Sequence, residues 1–250
     1  DLIEAEGADT VGAFIAEPVM GAGGVIVPPA TYFEKIQAVL KKHDVLFIAD
    51  EVICGFGRTG NMWGCETYDI TPDILCCAKA LSSSYLPISA VLIKDEIYEG
   101  LKSGTDQMPF GHGFTYGGHP VAAAVAVETL KIYEEIDVVE RSKRVGAHLQ
   151  AGLRQFADHP MVGEVRGVGM VAAVELVEDK AEKTAFDPAR KVGAALQDRA
   201  QEDGLIVRAV GDSVAFSPPL IMTEAQVDVV VEKFGRALDR TWRAVESGQR

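Results

Sequence analysis

The chain of 250 residues is 48% hydrophobic and carries a net charge of −13, enough apolar material for one large or two moderate domains with their own cores. That charge argues against nucleic-acid or anionic-membrane partners, which need clustered Lys and Arg, and no apolar run approaches the roughly 18 residues of a membrane span. Cys54, Cys65, Cys76 and Cys77 lack a CxxC pair or zinc-ligand spacing, so they read as small buried hydrophobes in a reducing compartment; with no leader of the secretory type, the cytoplasm is the expected location.

Residues 11–19, VGAFIAEPV, form a near-continuous apolar run of strand length, the pattern of a parallel strand buried on both faces. Glycines at 21, 23 and 24 and prolines at 28 and 29 then break the chain into a loop. Its GAGG string lacks the Lys and Ser/Thr of a phosphate-binding loop. Thr31 followed by Glu34 predicts a capping box opening a helix whose apolar face is Phe33, Ile36, Val39 and Leu40. That helix leads into an apolar run ending at Asp50, so a right-handed βαβ unit is the expected topology.

A further apolar run, 74–78, ends at Lys79. Two buried parallel strands would thus deliver the Asp50 carboxylate and the Lys79 amine to the carboxyl edge of one sheet, where ligands bind in open α/β folds. Lys79, flanked by Ala78 and Ala80, is expected to be partly desolvated. In an extended chain Val52 shares a face with Asp50, while Glu51 points the other way as a structural residue. GFGRTG at 55–60 is a turn in which Arg58 is structural; Trp63 and Tyr68 are core aromatics, and a strand follows at 88–94.

Residues 111–120 form a glycine-rich loop carrying His112, Phe114, Thr115 and His119, the histidines not being spaced as helical metal ligands. A helix packed by its alanines follows at 121–133, then a second at 138–156 with Val145, Leu149 and Leu153 on one face. A domain boundary near residue 136 divides the chain into 1–136 and 137–250. The second part is α+β. GVGMVA within 165–177 fits a dinucleotide-binding pattern, but it runs into a strand-like stretch instead of opening a helix, which argues against a dehydrogenase. A charged loop (180–190), a helix (191–203) ended by Gly204, and a short strand (205–207) ending at Arg208 come next. Thr223 with Gln226 is a second capping box, opening a last helix with the stripe Val227, Val230, Val231, Phe234 and Leu238.

The strings AEPVMGAGGVIVPP (16–29), IADEVICGFGRTG (48–60), PDILCCAKALSSSYLPISAVL (72–92), GFTYGGHPVAAA (113–124) and LIVRAVGDSVAFSPPLIMT (205–223) together resemble the class III aminotransferases. These are pyridoxal-phosphate enzymes that include the ω-amino acid and amine transaminases, and the resemblance covers nearly the whole chain. It implies the fold type I architecture of pyridoxal-phosphate-dependent transferases, an α/β fold, with 1–136 as the C-terminal half of the cofactor-binding large domain and 137–250 as a smaller α+β domain. The family's first half, with its Gly-Ser-Glu type phosphate loop and ring-stacking aromatic, is not found in these residues. A fragment lacking part of its site is therefore the expectation.

Position by position, the resemblance implies that Lys79 forms a Schiff base with pyridoxal 5'-phosphate and later carries the substrate proton. Asp50 would keep the pyridine nitrogen protonated, and Val52 would press on the ring. Phe114 and Thr115 would reach the cofactor phosphate of the opposite subunit, making a homodimer with a shared active site. Arg208 would clamp a substrate carboxylate with its planar fork. Ala22 stands where other branches carry a glutamate that pairs with that arginine, and Ile53 where some carry a glutamine near the cofactor's phenolic oxygen. The departure at Ala22 favours the amine and β-alanine:pyruvate type over ornithine or 4-aminobutyrate enzymes, and that at Ile53 implies that the contact to the phenolic oxygen is missing. The implied reaction moves an amino group from an amine or ω-amino acid to a keto acid such as pyruvate. The alternatives are an aminomutase or decarboxylase on the same cofactor, told apart by whether the amino group reaches a second molecule, and a non-catalytic fragment.

Overall fold

In the computed structural model, which describes residues 1–103 and 111–248, strand β1 (Ala13–Ala16), helix α2 (Tyr32–His43) and strand β2 (Leu46–Asp50) follow a short helix α1 (Leu2–Glu6) and make a βαβ unit with β1 and β2 paired in parallel. The four-residue helix α3 (Gly64–Thr67), strand β3 (Ile74–Cys77), strand β4 (Ala90–Ile93), helix α4 (Asp95–Ser103) and helix α5 (Pro120–Glu135) complete this part. The sheet order is β1-β2-β3-β4, with β3 parallel to β2 and β4 antiparallel to β3. These elements form one unit, Asp1–Pro18, Pro28–Phe56 and Trp63–Asp137.

Its core is built from Phe33 and Leu40 of α2, Phe47 and Ala49 of β2, Val45, Cys65 and Ile70. Phe33 stacks on Phe47 at 6.0 Å between centroids, and Phe14 meets Phe47 edge-on at 5.5 Å. Burial of each such aromatic stabilises the fold by about 2 kcal/mol. Trp63 and Tyr68 pack against the same cluster, as expected of core aromatics.

Two expectations need correction here. The strands are not buried on both faces: in β2 Phe47 and Ala49 are buried while Leu46 is exposed, and Ile15 of β1 is 60% exposed. Among the described residues α2 covers one face of this sheet, so the burial alternates with the two-residue period of a strand. The capping box at Thr31 is also absent. Thr31 sits in the left-handed region (φ 65°), and its side chain makes no cap hydrogen bond. Of that helix's apolar face Phe33 and Leu40 are buried, whereas Val39 is 45% exposed.

A second unit comprises Val19–Val27, Gly57–Met62 and the chain from Val138 onward. It contains helix α6 (Val138–Arg154), strands β5 (Val162–Val168) and β6 (Val171–Leu176), helix α7 (Val192–Glu202), strands β7 (Arg208–Val210) and β8 (Ser213–Phe216), and helix α8 (Glu224–Glu246). Its sheet runs β5-β6-β8-β7, antiparallel throughout. Val145, Leu149 and Leu153 of α6 are fully buried, as are Leu196 of α7 and Val227, Phe234 and Leu238 of α8. The Thr223–Gln226 capping box forms as the spacing predicts.

Two glycines hold this unit's elements at close range. A Cβ on Gly146 of α6 would lie 2.6 Å from the backbone of Gly169, and Gly169 itself has φ 54° and lies against the backbone of Arg58 and Thr59. No helix among the described residues is long and apolar enough to cross a membrane.

Candidate functional site

Asp50 closes β2 directly opposite Cys76 of β3, and the next amide, Glu51 N–H, donates to Cys76 O at 2.9 Å. The two parallel strands therefore end side by side. Beyond Asp50 the chain turns: the Val52 N–H donates to Asp50 Oδ1 at 3.0 Å. This corrects the placement of Val52 by strand alternation, since a side-chain-to-backbone bond two residues on is an Asx turn and holds Val52 beside Asp50.

Glu51 is fully buried and structural, as expected. Its Oε2 accepts from Gly64 N–H at 2.9 Å and its Oε1 from Cys65 N–H at 2.6 Å, which anchors the start of α3 under the sheet edge. Burial raises its pKa more than the hydrogen bonds from Cys65 and Gly64 lower it. Burial likewise pushes the Cys65 thiol up, with the Glu51 contact adding to it. Cys54, Cys65 and Cys77 are buried.

Past Cys77 the chain enters a 3-10 turn, Lys79–Ser82. Lys79 has φ 42°, and Ser83 and Ser84 follow at 49° and 64°, a left-handed conformation that costs a residue with a Cβ about 1–2 kcal/mol. The turn is closed by Leu81 N–H donating to Ala78 O at 2.9 Å and Ser84 N–H to Lys79 O at 3.2 Å. Tyr133 of α5 reaches it from the side: its hydroxyl donates to Ala80 O at 2.8 Å and lies 3.0 Å from Ser83 Oγ. The expectation of a partly desolvated Lys79 is not met, because the turn lifts the side chain out of the apolar run and leaves it exposed. Its amine has no hydrogen-bond or ion-pair partner among the described residues.

Phe114 and Thr115 lie in the turn that leads into α5, both exposed, with Phe114 edge-on to His112 at 5.4 Å. Arg208 belongs to the second unit. It opens β7 opposite Ala215 of β8, correcting its placement at the end of a strand over 205–207; the ladder to β8 begins only at Arg208. Its side chain is exposed, and no ion pair engages it among the described residues. Arg58 is structural, donating to Met170 O at 2.9 Å and Pro218 O at 2.6 Å.

Two groups around these positions were not singled out from the sequence. Arg166 of β5 donates through Nε to Val25 O at 2.9 Å and through an Nη to Gly24 O at 2.8 Å, and it pairs with Glu164 and Glu175, so it ties the turn at 21–24 to the second sheet. Tyr133 shares a buried stripe with Ala122, Ala126 and Thr129. That spacing is the one signal in the sequence that its phenol is directed inward.

Comparison with known proteins adds the family. The family model described as "Aminotransferase class-III" matches residues 1–238. The chain is 51% identical over 247 residues to a "Gamma aminobutyrate transaminase 3, chloroplastic" of Solanum lycopersicum, covering 98% of this chain and 48% of that protein. It is 48% identical to a "Vanillin aminotransferase" of Capsicum frutescens, covering 98% of this chain and 54% of that protein. Among solved structures it superposes on an omega transaminase from Pseudomonas jessenii in complex with PMP, with a TM-score of 0.96 and 55% identity over 99% of this chain and 55% of that one. The chain spans about half the length of the curated relatives it matches. Names of both the gamma-aminobutyrate and the omega type occur among these relatives and solved structures. On the family match along nearly its whole length and on a fold shared with solved transaminases, this chain belongs to the class III aminotransferases.

Proposed function

We propose that the protein transfers an amino group from an amine or ω-amino acid to a keto acid such as pyruvate, with pyridoxal 5'-phosphate as cofactor. The observation that carries this reading is the side-by-side ending of β2 and β3, which presents a carboxylate, Asp50, and, two residues beyond Cys77, an unpaired primary amine, Lys79, at one sheet edge. Those are the groups that a pyridine nitrogen and an aldehyde carbon require, so the residues present fit the cofactor.

When bound, pyridoxal phosphate supplies a conjugated ring that takes up the electron pair left as a proton departs from the substrate. Asp50 would hold the proton on the ring nitrogen, because a nearby opposite charge favours the cationic form. Val52, fixed beside it by the bond to Asp50 Oδ1, would bear on the ring. The Lys79 Nζ would be the amine that holds the cofactor's aldehyde carbon, and as a free amine it would take the proton from the donor's amine-bearing carbon. Arg208, exposed and unpaired, binds the carboxylate of keto or amino acids and swings aside for apolar amines. Arg208→Ala would then weaken keto-acid use more than amine use, and equal losses would reject that role.

Phe114 and Thr115 are assigned to the cofactor phosphate of a partner subunit, which makes the enzyme a homodimer with shared sites. Their exposure in this chain supports the assignment. Residues 1–136 serve as the C-terminal half of the cofactor-binding domain and 137–250 as the small domain. The cytoplasm is the proposed compartment, supported by four cysteines that form no disulfide.

Visible absorbance of the purified protein with pyridoxal phosphate, before and after borohydride, tests the reading. A band that borohydride fixes onto the wild-type chain and that Lys79→Ala lacks is expected. An undiminished band in Lys79→Ala would overturn the assignment.

A further inference from the structure

Lys79 stands at the start of a turn that the local sequence does not stabilise by itself. Lys79, Ser83 and Ser84 all have positive φ, yet none is a glycine. Such a cluster of left-handed residues persists only where the surroundings over-determine it. Within the turn Leu81 N–H donates to Ala78 O, Ser83 N–H to Ala80 O, Ser84 N–H to Lys79 O and Tyr85 N–H to Ser82 O, and Ser82 Oγ donates to Leu86 O. A hydroxyl on another element also reaches the turn, bonding it at both Ala80 and Ser83.

That hydroxyl belongs to Tyr133, which is buried in the last turn of α5. A phenol has a single proton. Since the Tyr133 O–H donates to Ala80 O at 2.8 Å, the contact of 3.0 Å with Ser83 Oγ must run the other way, with Ser83 donating to the Tyr133 oxygen. Ala80 follows Lys79 directly, and Ser83 is the first residue beyond the 3-10 turn. The phenol therefore bridges the two ends of the segment that sets the direction of the lysine, and the last turn of α5 carries it. Phe56 lies 6.3 Å from the ring, so the ring's packing is separable from its hydroxyl.

We propose that Tyr133 is a positioning residue for Lys79: its hydroxyl, bonded to Ala80 O and Ser83 Oγ, holds the left-handed turn that aims the lysine amine for attack on an aldehyde. This rests on the reading of Lys79 as the cofactor-binding amine. Tyr133 touches no reacting atom and acts only through the turn.

The test compares Tyr133→Phe, which keeps the ring and loses both bonds, with Ser83→Ala, which loses one, and with Thr129→Val. Thr129 bonds Val125 O within its own helix, so its variant reports what loss of a buried hydroxyl on α5 does to stability alone. Two readouts are taken: the rate at which pyridoxal phosphate becomes fixed by borohydride on the chain, and amide hydrogen exchange at Ser83 and Ser84 in the cofactor-free protein. Tyr133→Phe is expected to slow fixation and speed exchange by about tenfold, and Ser83→Ala by about threefold, as the loss of two or one hydrogen bonds of ordinary strength implies. Thr129→Val is expected to lower the melting temperature with both readouts unchanged. If Tyr133→Phe loses stability as Thr129→Val does but keeps the wild-type fixation and exchange rates, the proposal is overturned. Should Tyr133→Phe fail to fold, Ser83→Ala decides: unchanged rates overturn the proposal and slowed fixation with faster exchange supports it. Lys79→Ala separates the two readings, because loss of the Lys79 assignment shows as fixation that persists there, whatever Tyr133→Phe does.

Discussion

The carboxylate of Glu51 accepts the backbone N–H of Cys65 at 2.6 Å, fully shielded from solvent, one residue after the Asp50 that closes β2. Neighbours in sequence thus diverge in use, one carboxylate turned down to anchor α3 and the other left at the sheet edge. The buried one has a raised pKa, with burial the largest cause. A raised acid binds its proton more tightly folded than unfolded, so its contribution to stability is full below its unfolded pKa and is lost as pH rises through the folded value. The stability of wild type relative to Glu51→Gln is therefore expected to be greatest at acid pH and to shrink toward neutrality, as read by urea denaturation across that range. Glu51→Ala, which strands two buried N–H groups, is expected to cost about 3 kcal/mol.

Asp73 shows the opposite sign. It precedes β3 and binds both neighbouring strands, accepting Phe47 N–H at 2.8 Å on Oδ2 and Lys94 Nζ at 2.7 Å on Oδ1. Partial burial raises its pKa, but the Lys94 bond, the Phe47 amide and the Lys94 charge together outweigh it and lower the pKa. That stability is present above the unfolded carboxylate range and lost as pH falls through the lowered value. Asp73→Asn is expected to cost about 1 kcal/mol at neutral pH, and the gap from wild type should close in acid; chemical denaturation at both ends checks it.

Gly146→Ala sets helix propensity against packing. Alanine favours an α-helix over glycine by about 1 kcal/mol, yet the added Cβ would sit 2.6 Å from the Gly169 backbone, where no flexible side chain can yield. Overpacking of that kind costs about 3 kcal/mol. A net destabilisation is expected by thermal melting, whereas alanine at Gly100, where a Cβ meets nothing within 4 Å among the described residues, should stabilise slightly or be neutral.

Arg166→Met should loosen the turn at 21–24 by removing its bonds to Val25 O and Gly24 O, and it leaves Glu175 only its bond from Ser213 Oγ among those described. A loss of about 2 kcal/mol is expected from the buried Gly24 and Val25 carbonyls left without their donor, since Glu175, 44% exposed, is solvated once Arg166 is gone. Hydrogen exchange at Val25 and Ile26, with Ile26 N–H normally bonded to Met20 O, should rise more than exchange in α8.

Asp50→Asn tests the proposed cofactor contact. Removing the charge while keeping the size should weaken pyridoxal-phosphate affinity about tenfold, because the neutral amide no longer favours the protonated ring nitrogen, a loss of about 1.4 kcal/mol. Fluorescence titration of the cofactor-free protein measures it.

Much of the chain was legible from its residues because the relevant signals are local. The apolar runs around β1, β2 and β3, the capping box of Thr223 and Gln226, and the stripe Val145, Leu149 and Leu153 depend on period and on neighbours three or four positions away. Asp50 and Lys79 could be matched because each lies in a recognisable string and at the end of an apolar run. The cap at Thr31 and the strand position of Arg208 were misread for the converse reason. Backbone φ at Thr31 and the onset of pairing at Arg208 are set by partners, Pro29 O for the first helical amide and Ala215 for the strand, that no local pattern encodes.

The sequence by itself determined the class of the protein: which segments are strands or helices, which strings mark the family, and which carboxylate and amine sit at strand ends. Only the tertiary structure decided what those residues meet. Glu51 turns inward because two N–H groups at the start of α3 wait there, thirteen and fourteen residues on. The turn at Lys79 is braced from outside by a phenol fifty-three residues beyond Ala80, whose carbonyl it bonds. A buried hydrogen bond forms where the fold has already brought donor and acceptor together and excluded water, and that proximity is a property of the packed chain, not of any stretch of it.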